Sequence, residues 1–359
     1  MAKSKSVSVD LALQGGGSHG AFTWGVLDRL LEDETLAIDG ISGTSAGALN
    51  AAVLASGWAE GGRDGARAAL GAFWRDVGGV RGCFGSDAET PPGAAAWFNP
   101  WQAFVDALPL GAYNLDRLPW YAWSQQFLRN VSPYQFDLLG RNPLRAVLQR
   151  HVHEDALRDG PLALFVTATA VHTGQPRVFH REDLTIDALL ASACLPQLFR
   201  AVEIDGEPYW DGGYSGNPAL WPLIYETRAM DVLLVKINPL VRSVTPSTAA
   251  EIADRVNEIT FNAGLVAEMR AIHFVERLVR ERRVDPGRYK ALRLHMVADD
   301  EGLDLLQPSS KLNTDLGFLQ RLHGLGRDAA DRWLRAHRRD VGRRGTLDIA
   351  ATFLSHRDG

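Results

Sequence analysis

Cysteine is scarce in this chain of 359 residues, which has only Cys83 and Cys194. Two cysteines cannot form the disulfide framework of a small secreted domain, and so few of them fit a reducing compartment. The net charge of −5 gives no reason to expect nucleic acid as a partner. No apolar run reaches the roughly 18 residues of a transmembrane helix, and the run Val7–Leu13 is too short for a signal peptide. These absences predict a cytoplasmic protein.

Strand and helix signals alternate along the chain, with glycine turns between them. A strand at Val7–Leu13 is followed by a glycine turn and by a helix over 18–31 with apolar residues at helical spacing. A second strand over 38–42 meets another glycine turn and a helix of small residues over 46–54. Further strands are predicted at 162–171, 177–180, 201–204, 232–237 and 292–297. This order predicts an α/β fold, a three-layer sandwich with a mostly parallel central sheet.

Residues 78–140 interrupt this alternation with a segment rich in glycine, proline and aromatic residues. Eleven aromatic residues, four of them tryptophan, lie between Trp97 and Phe136. One interpretation is a helical insertion that packs its own small core. The other is a lid or acyl-chain channel over an active site, in which Trp120 and Trp123 contact an apolar substrate.

The chain after about residue 245 is predicted to be helical and is rich in arginine, as in 276–283 and 332–344. Arginines interleaved with aspartate and glutamate are typical of a solvated helix face. A surface that docks on anionic lipid headgroups is the alternative, because clustered arginines near an interface contribute to membrane binding.

The first motif that bears on chemistry is Gly-Thr-Ser-Ala-Gly at 43–47, between a predicted strand and a predicted helix. Gly43 and Gly47 flank Ser45 at the spacing of a sharp, strained turn that exposes the hydroxyl above the sheet. The helix that follows offers its N-terminal dipole and free amides to a developing oxyanion. The short pattern is common, but its position between strand and helix favours Ser45 as a nucleophile.

The second motif is the glycine loop Gly15, Gly16, Gly17, Ser18, His19 and Gly20, again between a strand and a helix. Such loops expose backbone amides that bind anionic oxygens. One use is a nucleotide phosphate, but the loop lacks the lysine of a P-loop and the full dinucleotide fingerprint. The other use, favoured by the nucleophile motif close behind, is an oxyanion hole for a tetrahedral ester intermediate.

The third motif is Asp211 followed by Gly212 and Gly213. An aspartate before two glycines is most often a turn, in which the carboxylate caps its own backbone. A nucleophilic serine also needs a base, and few other candidates stand near the ends of predicted strands. Both interpretations stay open at this point.

Together these motifs resemble the patatin-like phospholipase family. The order is Gly-Gly-Gly-x-x-Gly, then Gly-x-Ser-x-Gly, then Asp-Gly-Gly far downstream. The stretch Ala-Ser-Ala-Cys-Leu-Pro-Gln-Leu-Phe at 191–199 and the pair Asn217-Pro218 also fit the family pattern. The resemblance covers roughly 11–225. It implies a catalytic domain over 8–225 that includes the insertion over 78–140. Residues 226–359 would hold the last sheet strands and a helical C-terminal region.

The resemblance implies a serine acyl-ester hydrolase acting on lipids, of the phospholipase A, lysophospholipase or lipid acyl hydrolase type. Ser45 would be the nucleophile and Asp211 its base, as a dyad without histidine. The amides of Gly15, Gly16 and Gly17, with that of Ala46, would hold the oxyanion. No metal and no organic cofactor is implied. The partners would be a lipid or acyl-ester substrate, with peripheral contact to a membrane or lipid surface, and no nucleic acid.

One residue departs from the family pattern, which usually has arginine or lysine where this chain has His19. With a reference pKa near 6.5, histidine is largely neutral at pH 7 and is a poor partner for an anionic headgroup. A neutral ester or a lysolipid therefore fits the loop as well as a phospholipid does.

Other functions compete with the dyad. A histidine triad would use a late histidine of the chain, the candidates being His273, His295, His323, His337 and His356. The cluster His151, His153 and Glu154 has the residue types of a metal site, but its spacing suits neither a zinc helix motif nor a zinc finger. A catalytically silent lipid-binding protein would keep the same fold. Acyl transfer differs from hydrolysis only in the nucleophile that reaches the acyl-enzyme.

Overall fold

A computed structural model describes residues 6–79, 132–134, 142–242, 244–285, 289–304, 306 and 308–355. The aromatic segment predicted over 78–140, with Trp120 and Trp123, lies outside the described residues except at 78–79 and 132–134. Both interpretations of that segment therefore stay predictions. Cys83 and His356 also fall outside the described residues.

Eight strands form a single mixed sheet. They are β1 (Val7–Leu13), β2 (Leu36–Thr44), β3 (Ala163–Ala170), β4 (Pro176–His180), β5 (Val202–Ile204), β6 (Glu207–Asp211), β7 (Asp231–Val235) and β8 (Arg293–Val297). The sheet order is β5-β6-β3-β2-β1-β7-β8, with β4 also paired to β3. The five strands from β8 to β3 run parallel, whereas β4, β5 and β6 pair antiparallel. The predicted α/β fold with a mostly parallel sheet is confirmed.

The antiparallel edge arises from a tight hairpin that the sequence prediction missed. No strand is predicted over 207–211, although Asp205 and Gly206 come directly before this stretch. Both residues have positive φ, 53° and 80°. An Asp-Gly pair with positive φ at both residues is the preferred two-residue connection between antiparallel strands. The Asp-Gly signal predicts β6, and its position places Asp211 at the end of a strand.

Helices cover both faces of the sheet. They are α1 (Gly20–Leu31), α2 (Ala46–Gly79), α3 (Leu144–His151), α4 (Glu154–Asp159), α5 (Ile186–Ser192), α6 (Trp221–Glu226), α7 (Ala249–Arg280), α8 (Asp300–Asp304) and α9 (Leu316–His337). Helix α2 continues far beyond the predicted 46–54, and it bends at Gly61 and Gly62, whose backbones are not helical. Helix α1 begins two residues later than predicted because a 3-10 turn, Gly17–His19, precedes it.

The core has two parts, one on each face of the sheet, and β1 contributes to both. Leu11 and Leu13 are buried in the part that contains Phe22 of α1, whereas Ala12 is buried with Leu265 of α7 on the opposite face. Successive side chains of a strand point to opposite faces, so one strand supplies both cores. The three-layer arrangement follows.

The arginine-rich helix α9 packs along α1 through ion pairs. Arg338 pairs with Asp33 at 2.8 Å, and Arg327 pairs with Asp28. These contacts favour the interpretation of the arginines as a partly solvated helix face. Within the described part of the chain, no helix is both long enough and apolar enough to cross a membrane.

Candidate active site

Ser45 stands on a strained turn at the carboxyl end of β2. Its φ is +52°, a left-handed conformation that a residue with a side chain rarely adopts. The turn is tight because α2 starts at once and crosses over β1. A Cβ on Gly47 would lie 2.2 Å from the carbonyl oxygen of Leu13. The predicted strained turn at Gly43–Ser45–Gly47 is present, with the serine at its apex.

Ser192 supports this turn, and the sequence motifs did not single it out. The backbone amide of Ser45 donates to Ser192 Oγ at 2.9 Å, and that hydroxyl donates to the carbonyl oxygen of Thr167 at 2.6 Å. Ser192 is fully buried at the C-terminus of α5. It belongs to the stretch 191–199 that carries part of the family resemblance. Ser192 therefore ties the nucleophile turn to β3.

We expect Ser192→Ala to lower both stability and turnover, because it leaves the buried amide of Ser45 without an acceptor. The cost of such an orphaned group is about 1–3 kcal/mol of unfolding free energy. Ser56→Ala is the matched control, since buried Ser56 Oγ accepts the amide of His153 at 3.0 Å, away from the site. Denaturant unfolding should show similar losses for both variants, whereas kcat should fall only in Ser192→Ala. Equal kcat in the two variants would contradict a positioning role.

Asp211 ends β6 opposite Ala168 of β3, and it is fully buried. Its Oδ1 accepts a hydrogen bond from the backbone amide of Gly213 at 2.7 Å. The predicted turn, in which the carboxylate caps its own backbone, therefore forms. Its Oδ2 is buried and has no hydrogen-bond partner among the described residues. Burial raises the pKa of Asp211 from 3.8 to about 7, and the Gly213 amide and the Ser45 hydroxyl oppose that rise. The Ser45 hydroxyl is thus close enough to interact with the Asp211 carboxyl.

Three buried amide side chains, those of Gln14, Asn217 and Asn238, fix the position of the glycine loop. Gln14 Oε1 accepts the backbone amides of Ile237 and Asn238 at 2.9 and 3.0 Å. Asn217 Oδ1 accepts the amide of Gly15 at 2.6 Å, and Asn238 Nδ2 donates to the Gly15 carbonyl at 2.7 Å. Both backbone groups of Gly15 are therefore used within the protein. The expectation that the Gly15 amide holds an oxyanion is corrected, because that amide is already bonded.

The other three predicted amides are available. Those of Gly16, Gly17 and Ala46 make no hydrogen bond to any described residue, and all three residues line one cavity. Gly17 has a φ of +59°, and a Cβ there would lie 2.3 Å from the carbonyl oxygen of Lys311. Ala46 begins α2, whose N-terminal dipole favours negative charge. The remaining glycines lie within their own predicted motifs. Gly20 ends the glycine loop, Gly43 precedes Ser45, and Gly212 and Gly213 follow Asp211.

The cavity beside Ser45 and Asp211 has a volume of about 380 Å³ and is largely apolar. Leu49 and Trp74 line it from α2, Phe261 from α7, and Leu195 and Phe199 from the segment after α5. Asn142 and Leu144, next to the undescribed aromatic segment, also line it. A cavity of this size with apolar walls and a few convergent polar groups suits an apolar ligand with one reactive group.

His19 of the glycine loop is buried, and it carries no charge there. Burial, together with the charges of Lys311 and Arg242, lowers its pKa to about 3. Its Nε2 lies 2.7 Å from Ser310 Oγ. His19 therefore connects the glycine loop to the 3-10 helix Pro308–Leu312 as a neutral side chain.

None of the late histidines within the described residues lines the cavity. His295 is buried on β8, with Nε2 3.0 Å from Asp231 Oδ1. His323 packs against Trp24, with ring centroids 3.9 Å apart and the rings tilted by 34°. His273 lies on α7 and His337 at the end of α9. A histidine triad therefore has no support in this part of the chain.

The candidate metal cluster at His151, His153 and Glu154 is spread out. His151 Nε2 lies 2.8 Å from Asp76, whereas His153 Nε2 lies 2.9 Å from Glu60. In the described ranges no group of three or more metal-ligating side chains comes together.

Solved structures offer distant likenesses. VipD from Legionella pneumophila has 14% identity and a TM-score of 0.38, over 98% of this chain and 73% of VipD. ExoU from Pseudomonas aeruginosa, in its complex with SpcU, has 20% identity and a TM-score of 0.30, over 94% of this chain and 61% of ExoU. The chain thus spans less than two thirds of the length of ExoU. Likeness at this level carries no conclusion about function. A search of curated proteins gives no match.

A family comparison is more specific. The sequence model of the family described as "Patatin-like phospholipase" matches residues 11–224, more than half of the 359 residues. The matched range contains the glycine loop, Ser45 and Asp211, and it ends before β7. The chain belongs to the patatin-like phospholipase family and is a hydrolase of lipid esters.

Proposed function

We propose that Ser45 and Asp211 form the catalytic dyad of this hydrolase and that no histidine takes part. The observation that carries the proposal is the buried carboxyl of Asp211, whose Oδ2 has no partner at ordinary hydrogen-bond geometry among the described residues and whose pKa responds to the Ser45 hydroxyl. A buried carboxylate oxygen without a donor is costly, so such an atom is expected to serve a function. The adjacent serine hydroxyl supplies the proton that this oxygen would receive.

The first half of the reaction forms an acyl-enzyme. The Ser45 hydroxyl gives its proton to Asp211 while Oγ attacks the carbonyl carbon of the ester. The carbonyl oxygen becomes an oxyanion, which the amides of Gly16, Gly17 and Ala46 hold. As the tetrahedral intermediate collapses, the bond to the leaving oxygen breaks and Asp211 returns the proton to it. An alcohol or lysolipid departs, and the acyl group stays on Ser45.

The second half uses water in place of the alcohol. Asp211 takes a proton from water, whose oxygen attacks the acyl carbon, and the same amides hold the second oxyanion. Collapse releases the fatty acid and returns the proton to Ser45 Oγ. A base with a pKa of about 7 suits both steps, because it is partly ionised at neutral pH and still takes up a proton readily.

The acyl chain of the substrate would occupy the apolar cavity. Its walls come from α2, from α7 and from the segment that contains Leu195 and Phe199. Because the cavity walls are apolar, we expect lipid esters with a long acyl chain to be better substrates than small polar esters. Phospholipids, lysolipids and neutral lipid esters all offer such a chain.

The test combines a reactive-serine probe with a substrate screen. Purified protein is treated with a fluorophosphonate, and the labelled peptide is identified by mass spectrometry. We expect Ser45 to be the labelled serine, because its turn exposes the hydroxyl beside a base. The same protein is then assayed on phospholipids, lysolipids and neutral esters with matched acyl chains. A folded protein that is labelled on another serine, or that cleaves none of these esters, would overturn the proposal.

A further inference from the structure

Lys311 brings a positive charge into the cavity from outside the range matched by the family model. It lies in the 3-10 helix Pro308–Leu312, whereas that match ends at residue 224. Lys311 lines the same cavity as Ser45 and Asp211, and its charge acts on the Asp211 carboxyl. Its carbonyl oxygen packs against the Cα of Gly17, and the neighbouring Ser310 is bonded to His19. The glycine loop and the lysine are therefore held together by direct contacts.

Among the described residues, the hydrogen-bond partner of the Lys311 ammonium is neutral. Its Nζ donates to Asn238 Oδ1 at 2.9 Å, and it forms no salt bridge with the described residues. An ammonium has three donors, so this contact leaves two for a ligand. Burial lowers the pKa of Lys311, while Glu258, Asp254 and Asp211 act against that effect. A bound anion would raise the pKa again and keep the ammonium charged.

We propose that Lys311 binds the phosphate of a phospholipid substrate while the ester carbonyl lies at Ser45. The inference rests on the proposed function, since it assigns the headgroup side of the same cavity. A cation that is partly withdrawn from water loses solvation unless an anion pairs with it, and a cavity cation bonded only to an amide is suited to an anion from the substrate. His19 is neutral at this position, so it does not compete for that anion.

The role of Asn238 distinguishes this site from a general surface charge. Asn238 accepts from Lys311 through Oδ1 and donates to the Gly15 carbonyl through Nδ2. One buried side chain thus fixes the lysine relative to the loop that holds the ester oxygen. The distance between the phosphate and the cleaved carbonyl of a phospholipid is set by its glycerol backbone. A fixed cation would select esters whose phosphate lies at that distance.

The experiment measures binding of lipids that cannot be hydrolysed. Full-length wild type, Lys311→Met and Lys311→Arg are titrated with a dialkyl ether phosphatidylcholine and with the matching dialkylglycerol, both in neutral detergent micelles. Arg335→Met is the matched control, because it removes one charge from a side chain that is 80% exposed on α9. Hydrogen bonds to charged groups predict that Lys311→Met weakens binding of the phospholipid about 10- to 100-fold. Binding of the dialkylglycerol should stay within about twofold, and Lys311→Arg and Arg335→Met should keep most of the phospholipid affinity.

Three results would overturn the inference. Equal losses for both lipids would show that Lys311 only braces the loop, and unchanged binding of both would show that it contacts neither. Inorganic phosphate could also displace the phospholipid at concentrations as low as those at which the phospholipid itself binds. That result would show that the site binds a free anion. Because ether lipids need no turnover, these outcomes do not depend on the labelling and hydrolysis that test Ser45.

Discussion

Replacing Ser45 by alanine should abolish both ester hydrolysis and labelling by a fluorophosphonate, while the protein stays folded. The change removes the single oxygen that attacks the ester and leaves the backbone of the turn as it is. Losing the nucleophile of a serine hydrolase lowers kcat on the order of 10⁶-fold, as in the subtilisin series. Hydrolysis should therefore fall to the background of the assay. Unfolding by denaturant should show a midpoint close to that of wild type.

Ser18→Ala is the matched control for labelling, since Ser18 lines the same cavity but lies in the 3-10 turn. That variant should still be labelled. Ser45→Gly gives a second measurement, because glycine adopts a φ of +52° without strain. It should be inactive yet more stable than Ser45→Ala by about 1 kcal/mol. Labelling that persists in Ser45→Ala would remove Ser45 from the mechanism.

The sequence motifs predicted those parts of the site in which lack of space or an unusual backbone conformation restricts the residue type at a position. Gly47 passes so close to the Leu13 carbonyl that any side chain would collide with it. Ser45 needs small neighbours because its own φ is left-handed. Both demands fall on positions within two residues of Ser45, so they leave a pattern of glycines around the serine. Two central strands were predicted from a different local signal, since β1 and β7 are short, mostly apolar runs.

The parts that were missed depend on contacts between residues distant in sequence. Ser192 accepts the Ser45 amide across 147 positions, and Asn217 accepts the Gly15 amide across 202. Neither side chain differs by type from an ordinary surface serine or asparagine. The availability of the Gly15 amide was misjudged because only the fold shows that Asn217 reaches it. Lys311 likewise lies in a helical region with no motif, and its position in the cavity follows from the packing of Gly17.

The length of α2 shows a different limit. The prediction ended the helix near residue 54, where small apolar residues give way to glycines. The helix continues to Gly79 because Leu70 and Phe73 are buried in the core shared with α1, and the chain absorbs Gly61 and Gly62 as a bend. Tertiary packing here overrides the low helix propensity of glycine.

Burial favours the neutral form of the Asp211 carboxyl, and the activity should therefore depend on pH. The pKa of Asp211 is about 7, and only the ionised form accepts the Ser45 proton. We expect kcat/KM to rise with pH to a plateau above about 7 and to fall about tenfold per unit well below it. Alanine variants of His273, His295, His323 and His337 should keep this profile if they fold. If a folded histidine variant is as inactive as Ser45→Ala, that histidine takes part in catalysis, and the site is a triad instead of a dyad.

Asp211→Asn should lower kcat by about 10²- to 10⁴-fold, the usual contribution of a general base. The amide has the shape of the carboxylate, and its oxygen still accepts the Gly213 amide, so the turn is kept. It cannot take the serine proton at any pH, and the residual activity should therefore lose the rise near pH 7. A variant that keeps wild-type turnover, or keeps that rise, would show that another group is the base.

The stability of the same variant relative to wild type should rise with pH, and the sign follows from the raised pKa of Asp211. Between 3.8 and about 7 the folded protein holds a proton that the unfolded chain has released. The stability from this group is therefore full below pH 4 and declines as the pH rises to about 7. Asparagine has no proton to lose, so the stability of Asp211→Asn relative to wild type should increase by about 2–4 kcal/mol between pH 4 and pH 8. Denaturant unfolding of both proteins at the two pH values measures this difference. If the difference does not change with pH, Asp211 is ionised in the folded protein at acidic pH, and burial does not set its pKa.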